Sequence, residues 1–264
     1  MAKVDWSEVG GLDAFEDPSF QRLRGVMRRL PSNPRCKLCA GPFGGVGGMV
    51  LRFTGYRPSR KNPNLCRTCF EDAPPGGLQG EIGVLFADVR GFTTLAETMA
   101  PVEAAELLNR FYAVATDVLV ERDAIIDKLV GDEVMALFIP PIVGEDHLEQ
   151  MVDAAEALLR GVGVGSPEGA WLPLGVGVAF GEAFVGNVGS GEVKDFTALG
   201  DVVNTAARLQ AVAAPGTIVI AERVYEAVRD RYPDAEPREL DLRGRSAPVP
   251  AYVVDVAALA AAIA

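Results

Sequence analysis

Two aspartates carry the first candidate chemistry in this sequence. Asp88 ends the apolar run Val84–Asp88, and Asp132 lies in a Gly-Asp turn between two further apolar runs. Since neighbouring strands lie about 4.8 Å apart, a strand end and an adjacent hairpin turn can bring two carboxylates together. Such a pair can hold two divalent cations for an in-line phosphoryl displacement, and oxygen ligands favour Mg²⁺ or Mn²⁺. Two solvated turn aspartates are the alternative, because aspartate is common in turns.

The segment that follows Asp88, Val89-Arg-Gly-Phe-Thr-Thr94, favours a turn into a short helix. Gly91 permits the turn, and Thr93 or Thr94 can cap the helix. The free backbone N–H groups at a helix start bind phosphate. The segment is therefore a candidate phosphate contact, although many strand-to-helix turns have a similar composition.

Four cysteines form two C-x-x-C pairs, Cys36 with Cys39 and Cys66 with Cys69, with 26 residues between the pairs. Paired motifs of this kind predict a tetrahedral site that holds one structural Zn²⁺ per chain. The stretch between them exceeds the usual gap of about 15–20 residues, and the glycine-rich residues 41–48 fit a long loop. An iron–sulfur cluster or a redox dithiol is the alternative.

Charge divides the chain into two parts. Residues 1–75 hold 12 Lys/Arg and 7 Asp/Glu, whereas the remainder holds 13 and 29. Nucleic acid, anionic lipid and the acidic part itself are the alternative contacts for the basic part, and we favour a solvated basic face packed near an acidic domain. The sequence has neither an apolar run of about 18 residues nor a leader-like start, which favours a cytoplasmic protein without a membrane segment.

Hydrophobic periodicity places the elements that must position these residues. We predict helices over 20–30, 100–121, 147–159, 201–213 and 222–229. We predict strands over 82–87, 124–130, 134–139, 172–180, 183–188, 218–220, 238–242 and 251–254. Strands that pair by hairpins and alternate with helices predict an α+β fold, in which a mostly antiparallel central sheet is covered by helices.

Three motifs in this order resemble those of class III adenylate and guanylate cyclases. They are Leu85-Phe-Ala-Asp-Val-Arg-Gly-Phe-Thr93, Lys128-Leu-Val-Gly-Asp-Glu-Val-Met-Ala-Leu-Phe138 and Phe196-Thr-Ala-Leu-Gly-Asp-Val-Val-Asn-Thr-Ala-Ala-Arg-Leu209. The ending Leu242–Val254 resembles the last strand pair of that family. The resemblance covers about residues 79–256 and implies a ferredoxin-like cyclase domain.

The resulting domain organisation has five parts. A helical or loop segment over 1–34 precedes the four-cysteine module over 35–73. A linker over 74–80, rich in Pro and Gly, leads to the cyclase domain over 81–256. Residues 257–264 form a C-terminal tail.

The resemblance implies roles for individual residues in catalysis. Asp88 and Asp132 match the two metal-binding aspartates, with Val89 beside them, and would hold two Mg²⁺ or Mn²⁺ per active site. Asn204 and Arg208 match the pair that orients the ribose and stabilises the transition state. Four residues apart, these two share one face of a helix, and a guanidinium suits the spread charge of phosphoryl transfer.

The resemblance also implies the substrate contacts. Lys128 matches the lysine that reads the base, and Thr197 occupies the place where many members have aspartate. Guanylate cyclases typically carry Glu and Cys at these two places, so ATP is favoured over GTP, although a threonine hydroxyl can donate or accept and fixes the base less firmly. Phe92 and Thr93 belong to the substrate-binding turn, and Arg243 lies where the family often grips the triphosphate.

The implied activity is an adenylate cyclase that converts ATP to 3′,5′-cyclic AMP and pyrophosphate. Its active sites would be shared in a homodimer, the aspartates coming from one subunit and the base-reading and Asn/Arg residues from the other. A regulatory ligand or partner would act at the N-terminal module, and members with threonine at the position of Thr197 include bicarbonate-responsive enzymes.

Three alternatives remain at this level. The first is a class III cyclase that acts on GTP or a pyrimidine triphosphate. The second is a diguanylate cyclase, weakly suggested by Val130-Gly-Asp-Glu-Val134. The third is a non-catalytic zinc-containing binding protein.

Overall fold

The structure, a computed structural model, describes residues 10–11, 17–30, 34–60, 62–70, 76–190, 193–241 and 248–263. Its internal contacts group the chain into two compact units. Unit 1 comprises residues 1–81 and 182–200, and unit 2 comprises residues 82–181 and 201–264. Unit 1 therefore joins the cysteine-containing segment to a distant stretch of the sequence.

The helices of the described residues are α1 Pro18–Arg29, α2 Gly45–Arg52, α3 Phe92–Glu97, α4 Pro101–Glu121, α5 Pro140–Val143, α6 His147–Gly161, α7 Asp201–Val212, α8 Glu222–Val228 and α9 Val256–Ile263. The strands are β1 Gly10–Gly11, β2 Gly76–Val89, β3 Ile125–Val130, β4 Glu133–Phe138, β5 Leu174–Ser190, β6 Val193–Leu199, β7 Thr217–Ala221, β8 Glu236–Leu240 and β9 Val249–Asp255. Short 3₁₀ helices cover Arg67–Cys69 and Arg229–Arg231.

The strands form one mostly antiparallel sheet in the order β3-β4-β2-β5-β7-β9-β8. β3 with β4, β2 with β4, β7 with β9 and β8 with β9 are antiparallel, whereas β5 and β7 are parallel. β1 pairs with β2, and β6 pairs with β5. The predicted α+β class with a mostly antiparallel sheet is confirmed.

The core of unit 2 lies between the sheet and helices α4 and α6. Phe111, Ala115 and Leu119 recur every four residues along α4 and are fully buried, as expected for the apolar stripe of an amphipathic helix. Fully buried residues of α6, among them Met151 and Leu158, belong to the same cluster. This packing buries β2 and β4 close to Asp88, near the end of β2, and Asp132, directly before β4.

In unit 1, helix α1 is fixed at both ends. The Asp17 carboxylate accepts hydrogen bonds from the backbone N–H groups of Ser19 (2.8 Å) and Phe20 (3.3 Å), and so caps the helix. At the other end the Arg35 guanidinium donates to the carbonyls of Met27 (2.9 Å) and Ala40 (3.1 Å). Since Arg35 precedes Cys36 directly, α1 and the first C-x-x-C pair are held together.

The structure departs from the predicted strands in three places. β5 runs without interruption from Leu174 to Ser190 where two strands were predicted, and β6 was not predicted. β5 and β6 form a hairpin whose glycine-rich tip has the composition of a loop. β2 also begins at Gly76, so it covers residues assigned to the linker over 74–80.

Two further segments are helical where the sequence indicated a loop and a tail. Helix α2 begins at Gly45, inside the glycine-rich segment 41–48, and ends beyond it at Arg52. Helix α9 covers most of 257–264. Glycine is required at Gly48 by close packing, since a Cβ there would lie 2.4 Å from the carbonyl carbon of Phe43. Gly48 therefore permits close approach of another backbone and does not mark a loop.

Candidate functional site

The ends of β2 and β4 bring Asp88 and Asp132 together. Asp88 pairs with Glu133 in the strand register, and the Val89 N–H donates to the Asp132 carbonyl over 3.3 Å. Gly131 takes a φ of +60° in the turn between β3 and β4, a conformation that favours glycine. Asp132 is thereby held beside the end of β2, as the hairpin argument predicts.

Arg90 is a charged partner of this pair to which the sequence analysis gave no role. Its guanidinium forms a salt bridge with the Asp88 carboxylate and donates to the Ala211 carbonyl at 3.2 Å. Its backbone N–H donates to the Pro173 carbonyl at 2.7 Å. Arg90 lies in the turn directly after β2, and this bend lets its side chain reach the Asp88 carboxylate.

The carboxyl groups at this edge repel one another. Burial, followed by the negative charge of Asp88, raises the pKa of Asp132, while Arg90 opposes the shift. Burial and the charges of Asp88 and Asp132 likewise raise the pKa of Glu133. A site with this excess of negative charge gains stability when a cation binds.

The donor set fits a divalent cation. Asp88 and Asp132 are both half-buried, so an ion can approach while the carboxylates stay fixed. The Tyr112 hydroxyl donates to the Gly131 carbonyl and braces the turn from α4. Oxygen donors in an accessible position are typical of Mg²⁺ and Mn²⁺ sites that serve catalysis.

Lys128 lies on β3 next to a buried carboxylate. The register of β3 and β4 shifts between Ile126 and Lys128, which places Asp127 in a β-bulge. The Asp127 side chain is fully buried, and its carboxylate lies 3.6 Å from Nζ of Lys128, a side chain that is 44% exposed. Asp127 therefore holds the ammonium group of a lysine that is otherwise exposed, and no sequence motif marks this residue.

Helix α7 presents the second predicted pair. Asn204 is exposed and Arg208 is half-buried, four residues apart on the helix. The opposite face buries Val202, Ala206 and Leu209. α7 lies very close to β5, since a Cβ at Gly177 would lie 2.2 Å from the backbone nitrogen of Gln210.

The turn after β2 differs in one detail from its prediction. Gly91, at a φ of +69°, is the N-cap residue of α3, and the helix begins at Phe92. Thr93 therefore lies inside the helix, and neither it nor Thr94 caps it, because the N-cap, Gly91, lies two residues before Thr93. Val89 is buried, Phe92 is half-buried and Thr93 is exposed.

Thr197 belongs to unit 1. It lies on β6 opposite Gly186 of β5 and is 7% exposed. Arg243, the predicted triphosphate contact, lies outside the described residues.

The four cysteines of unit 1 converge on one point. Their sulfur atoms all lie within 4.8 Å of one another, and Sγ of Cys39 is 3.7 Å from Sγ of Cys66. All four are free thiols, and three are fully buried. Zn–S bonds of about 2.3 Å in a tetrahedron place sulfurs about 3.8 Å apart, whereas a disulfide requires about 2.05 Å. The cluster has the dimensions of a four-cysteine metal site.

Backbone N–H groups donate hydrogen bonds to two of the sulfurs, an arrangement that favours thiolates that can bind a cation. The N–H groups of Gly41 and Cys66 donate to Sγ of Cys39 (3.4 Å) and Cys36 (3.2 Å). Hydrogen bonds from the other thiols lower the pKa of Cys36, and the Cys36 sulfur in turn raises the pKa of Cys66 and Cys69. Burial and these sulfurs together raise the pKa of Tyr56, which packs beside Gly41, to about 12.

Comparison with known proteins decides the family. Residues 77–255, more than half of the chain, match the adenylate and guanylate cyclase catalytic domain. The chain belongs to this cyclase family. The match includes Asp88, Asp132, Lys128, Asn204 and Arg208, and it begins after the cysteine cluster.

Relatives of this cyclase carry both base specificities in their names. The chain is 32% identical over 167 residues to an adenylate cyclase of Mycobacterium tuberculosis. The aligned stretch covers 62% of this chain and 37% of that protein. The chain spans about a third of the length of such curated relatives. The described residues contain no helix long and apolar enough to cross a membrane.

Two solved structures share its fold. The guanylyl cyclase Cya2 gives a TM-score of 0.60 at 29% identity and covers 68% of this chain and 93% of its own. The adenylyl cyclase CyaB from P. aeruginosa gives 0.57 at 28% identity and covers 67% and 95%. The class III cyclase fold predicted from the three motifs is confirmed, whereas these relatives leave the choice of base open.

Proposed function

We propose that this cyclase converts ATP to 3′,5′-cyclic AMP and pyrophosphate. The observation that supports the proposal best is the position of Asp132 beside the end of β2, where the Val89 N–H donates to its carbonyl and Asp88 pairs with Glu133, in a chain of the cyclase family. Both carboxylates are present and half-exposed. A catalytically silent member of the family would not need two mutually repelling carboxylates held beside each other.

Asp88 and Asp132 would hold two Mg²⁺ or Mn²⁺, with Val89 beside them. These cations would supply activation of the 3′-hydroxyl and neutralisation of the leaving pyrophosphate. Arg208 meets charge that develops on the phosphoryl oxygens, and Asn204 orients the ribose from the same face of α7. Phe92 and Thr93 lie at the start of α3 and contribute to the substrate-binding turn, and Arg243 is proposed as a triphosphate contact.

ATP is the substrate that the base-reading residues favour. Lys128 can donate a hydrogen bond to adenine N1, and the Thr197 hydroxyl can accept one from the N6 amino group. Asp127 restricts Lys128 because its buried carboxylate lies 3.6 Å from the ammonium group. Neither residue is the glutamate or cysteine that a guanine-reading site of this family would carry.

The test is product identification with the purified protein. Mn²⁺ with ATP, GTP, CTP or UTP should give cyclic AMP from ATP by mass spectrometry, and Asp88→Asn should lose the product. The exposed Asp117 of α4 offers the matched control Asp117→Asn, which should keep full activity. A cyclic nucleotide formed only from another triphosphate would overturn the assigned base, and no product from any of the four would overturn the assigned activity.

We also propose a homodimer with shared active sites. Exposed apolar side chains support an interface on unit 2, namely Val130 at the end of β3 (60% exposed) and Val212 at the end of α7 (53%). Asp88→Ala and Arg208→Ala chains, each inactive alone, should regain about a quarter of the wild-type activity when mixed, because half of randomly formed dimers keep one of two sites. Mixed dimers without activity would contradict shared sites.

The cysteine cluster is proposed to hold one structural Zn²⁺ per chain. Its support is the 3.7 Å sulfur separation together with the two backbone N–H groups that donate to sulfur. Free thiols at all four positions suit a reducing compartment, so we place the enzyme in the cytoplasm. Metal analysis of protein purified without chelator should find one zinc per chain, and iron with visible absorption would contradict it.

A further inference from the structure

We propose that the cysteine cluster positions Thr197 through Phe70 and Asn187, so that the metal site of unit 1 sets the fidelity of base recognition. The proposal rests on the proposed function, because it takes Thr197 as a base-reading residue. Phe70 and Asn187 are positioning residues in this scheme, and neither touches the substrate.

Phe70 is the first link, because it follows Cys69 directly. It is 1% exposed, and its N–H donates to the Arg67 carbonyl over 3.1 Å, which closes the 3₁₀ turn that carries Cys69. A residue that ends such a turn moves when the turn moves. The place of the Phe70 ring therefore depends on whether Cys66 and Cys69 are held by a common ion.

Both strands of the β5–β6 hairpin contact Phe70. The Phe196 ring of β6 lies 3.8 Å from the Phe70 ring, centroid to centroid, and the Asn187 side chain of β5 donates to the Phe70 carbonyl at 2.9 Å. Asn187 and Phe196 are cross-strand partners. Asn187 is 4% exposed, and a buried amide that lost this acceptor would have an unsatisfied donor.

Thr197 is the neighbour of Phe196 on β6 and pairs with Gly186, the neighbour of Asn187 on β5. Side chains alternate along a strand, so Phe196 faces Phe70 while Thr197 faces the opposite side of the hairpin. A change in the position of the Phe196 side chain therefore shifts the Thr197 hydroxyl, because the two residues are neighbours on β6.

A second contact holds the same part of the hairpin. A Cβ at Gly186 would lie 2.2 Å from the Gly76 carbonyl oxygen and 2.5 Å from Cα of Gly77. The start of β2 thus packs directly against Gly186, the residue that pairs with Thr197. With Phe70 on one side and Gly76 on the other, the hairpin has little freedom to slide while the cysteine turn is in place.

The experiment compares full-length wild type with Phe70→Ala, Phe70→Leu and Asn187→Ala. Phe53→Ala is the matched control, because Phe53 belongs to the same unit but is 90% exposed. Zinc per chain, hydrogen exchange of residues 184–199, and kcat and KM for ATP and GTP are measured on each. Exchange of residues 217–255 serves as the internal reference.

We expect Phe70→Ala to retain zinc, to exchange faster at residues 184–199 and not at 217–255, and to raise KM for ATP with kcat nearly unchanged. The ratio of kcat/KM for ATP to that for GTP should fall about tenfold, since a small misplacement of a binding group is costly. Phe70→Leu should restore most of the ratio, and Asn187→Ala should show a smaller shift in the same direction. A merely structural defect would lower kcat/KM for ATP and for GTP by the same factor.

Unchanged hairpin exchange or an unchanged nucleotide ratio in folded Phe70→Ala would overturn the proposal. Should Phe70→Ala fail to fold, Asn187→Ala and chelation of the wild-type metal decide the matter by the same exchange measurement. If the wild type forms no cyclic nucleotide, the proposed function fails. The coupling is still judged, because faster exchange of 184–199 on metal removal supports it and unchanged exchange refutes it.

Discussion

The cysteine cluster of unit 1 buries its ligands, whereas the aspartate pair of unit 2 leaves them half exposed. Three of the four cysteines are fully buried, and backbone N–H groups already donate to their sulfurs. Asp88 and Asp132 instead repel each other and share the positive charge of Arg90. A closed site with fixed ligands stabilises a fold, while an open site keeps room for substrate.

The difference extends to how each unit is stabilised. Unit 2 has a continuous apolar core between the sheet, α4 and α6. The part of unit 1 around the cysteines has short elements and a small core, so the proposed zinc would contribute much of its folding free energy. Loss of metal from the cysteine cluster should therefore unfold that part of unit 1. Loss of metal from the aspartate pair should abolish activity and leave unit 2 folded.

The sharpest expected contrast comes from Asp132→Asn. Cyclase activity should fall at least about thousandfold, because metal stabilisation of the transition state is lost. The metal-free protein should become more stable, with a Tm higher by about 1–2 °C, since one repelling charge is removed. Zinc content should not change. Activity, calorimetry and metal analysis check the three expectations, and a lower Tm would contradict the repulsion.

The pH dependence of that gain follows from the raised pKa of Asp132. A carboxyl group whose pKa is raised on folding lowers stability above its folded pKa and has no effect below its unfolded value of about 3.9. The gain in Asp132→Asn should therefore be present at pH 7 and vanish as the pH falls toward about 4.

Cys39→Ser should have the opposite profile. Zinc per chain should fall from one toward none, and unit 1 should lose several kcal/mol of stability, because metal binding and folding are coupled there. Limited proteolysis should then cut within residues 34–70, while the core of unit 2 stays resistant. Met49→Ala, at an exposed position of α2, is the control. A variant that keeps its zinc and its protease resistance would remove the basis of the comparison.

Sequence patterns could predict the elements of unit 2 far better than those of unit 1. α4 and the β3–β4 hairpin follow from apolar periodicity and a Gly-Asp turn, which depend on local residues only. The β5–β6 hairpin and α2 could not be predicted, because their glycines indicate loops by composition. In the structure Gly48 and Gly186 instead allow another backbone to approach, a requirement that arises only from tertiary packing.

The candidate site shows the same limit. Asp88, Asp132, Asn204 and Arg208 could be named because motifs carry them. Arg90 and Asp127 could not, since their roles depend on partners brought in by the fold. The salt bridge of Arg90 requires the bend after β2, and the burial of Asp127 requires a bulge.

Arg90→Gln tests whether an arginine takes the place of a cation in the metal-free site. The pair with Asp88 is half-buried, at 20% and 24% exposure of the two side chains. Its loss should lower the Tm of the metal-free protein by about 4 °C, for a charge-assisted bond of about 1–2 kcal/mol. Mn²⁺ should raise the Tm of Arg90→Gln more than that of the wild type. Equal increments would show that Arg90 does not offset the carboxylate charges.

The smallest effect is expected from Tyr112→Phe, which removes the hydrogen bond from the hydroxyl to the Gly131 carbonyl. A neutral bond at a half-buried residue contributes about 1 kcal/mol or less, so the Tm should fall by about 2 °C. Because this bond braces the turn that holds Asp132, the Mn²⁺ concentration for half-maximal activity should rise about twofold, with zinc unaffected. Tyr225→Phe removes a similar bond to the Tyr232 carbonyl, at 3.0 Å, away from the carboxylates. It should cost similar stability without changing the Mn²⁺ dependence, and an equal shift in both variants would mean that the turn owes its position to the sheet alone.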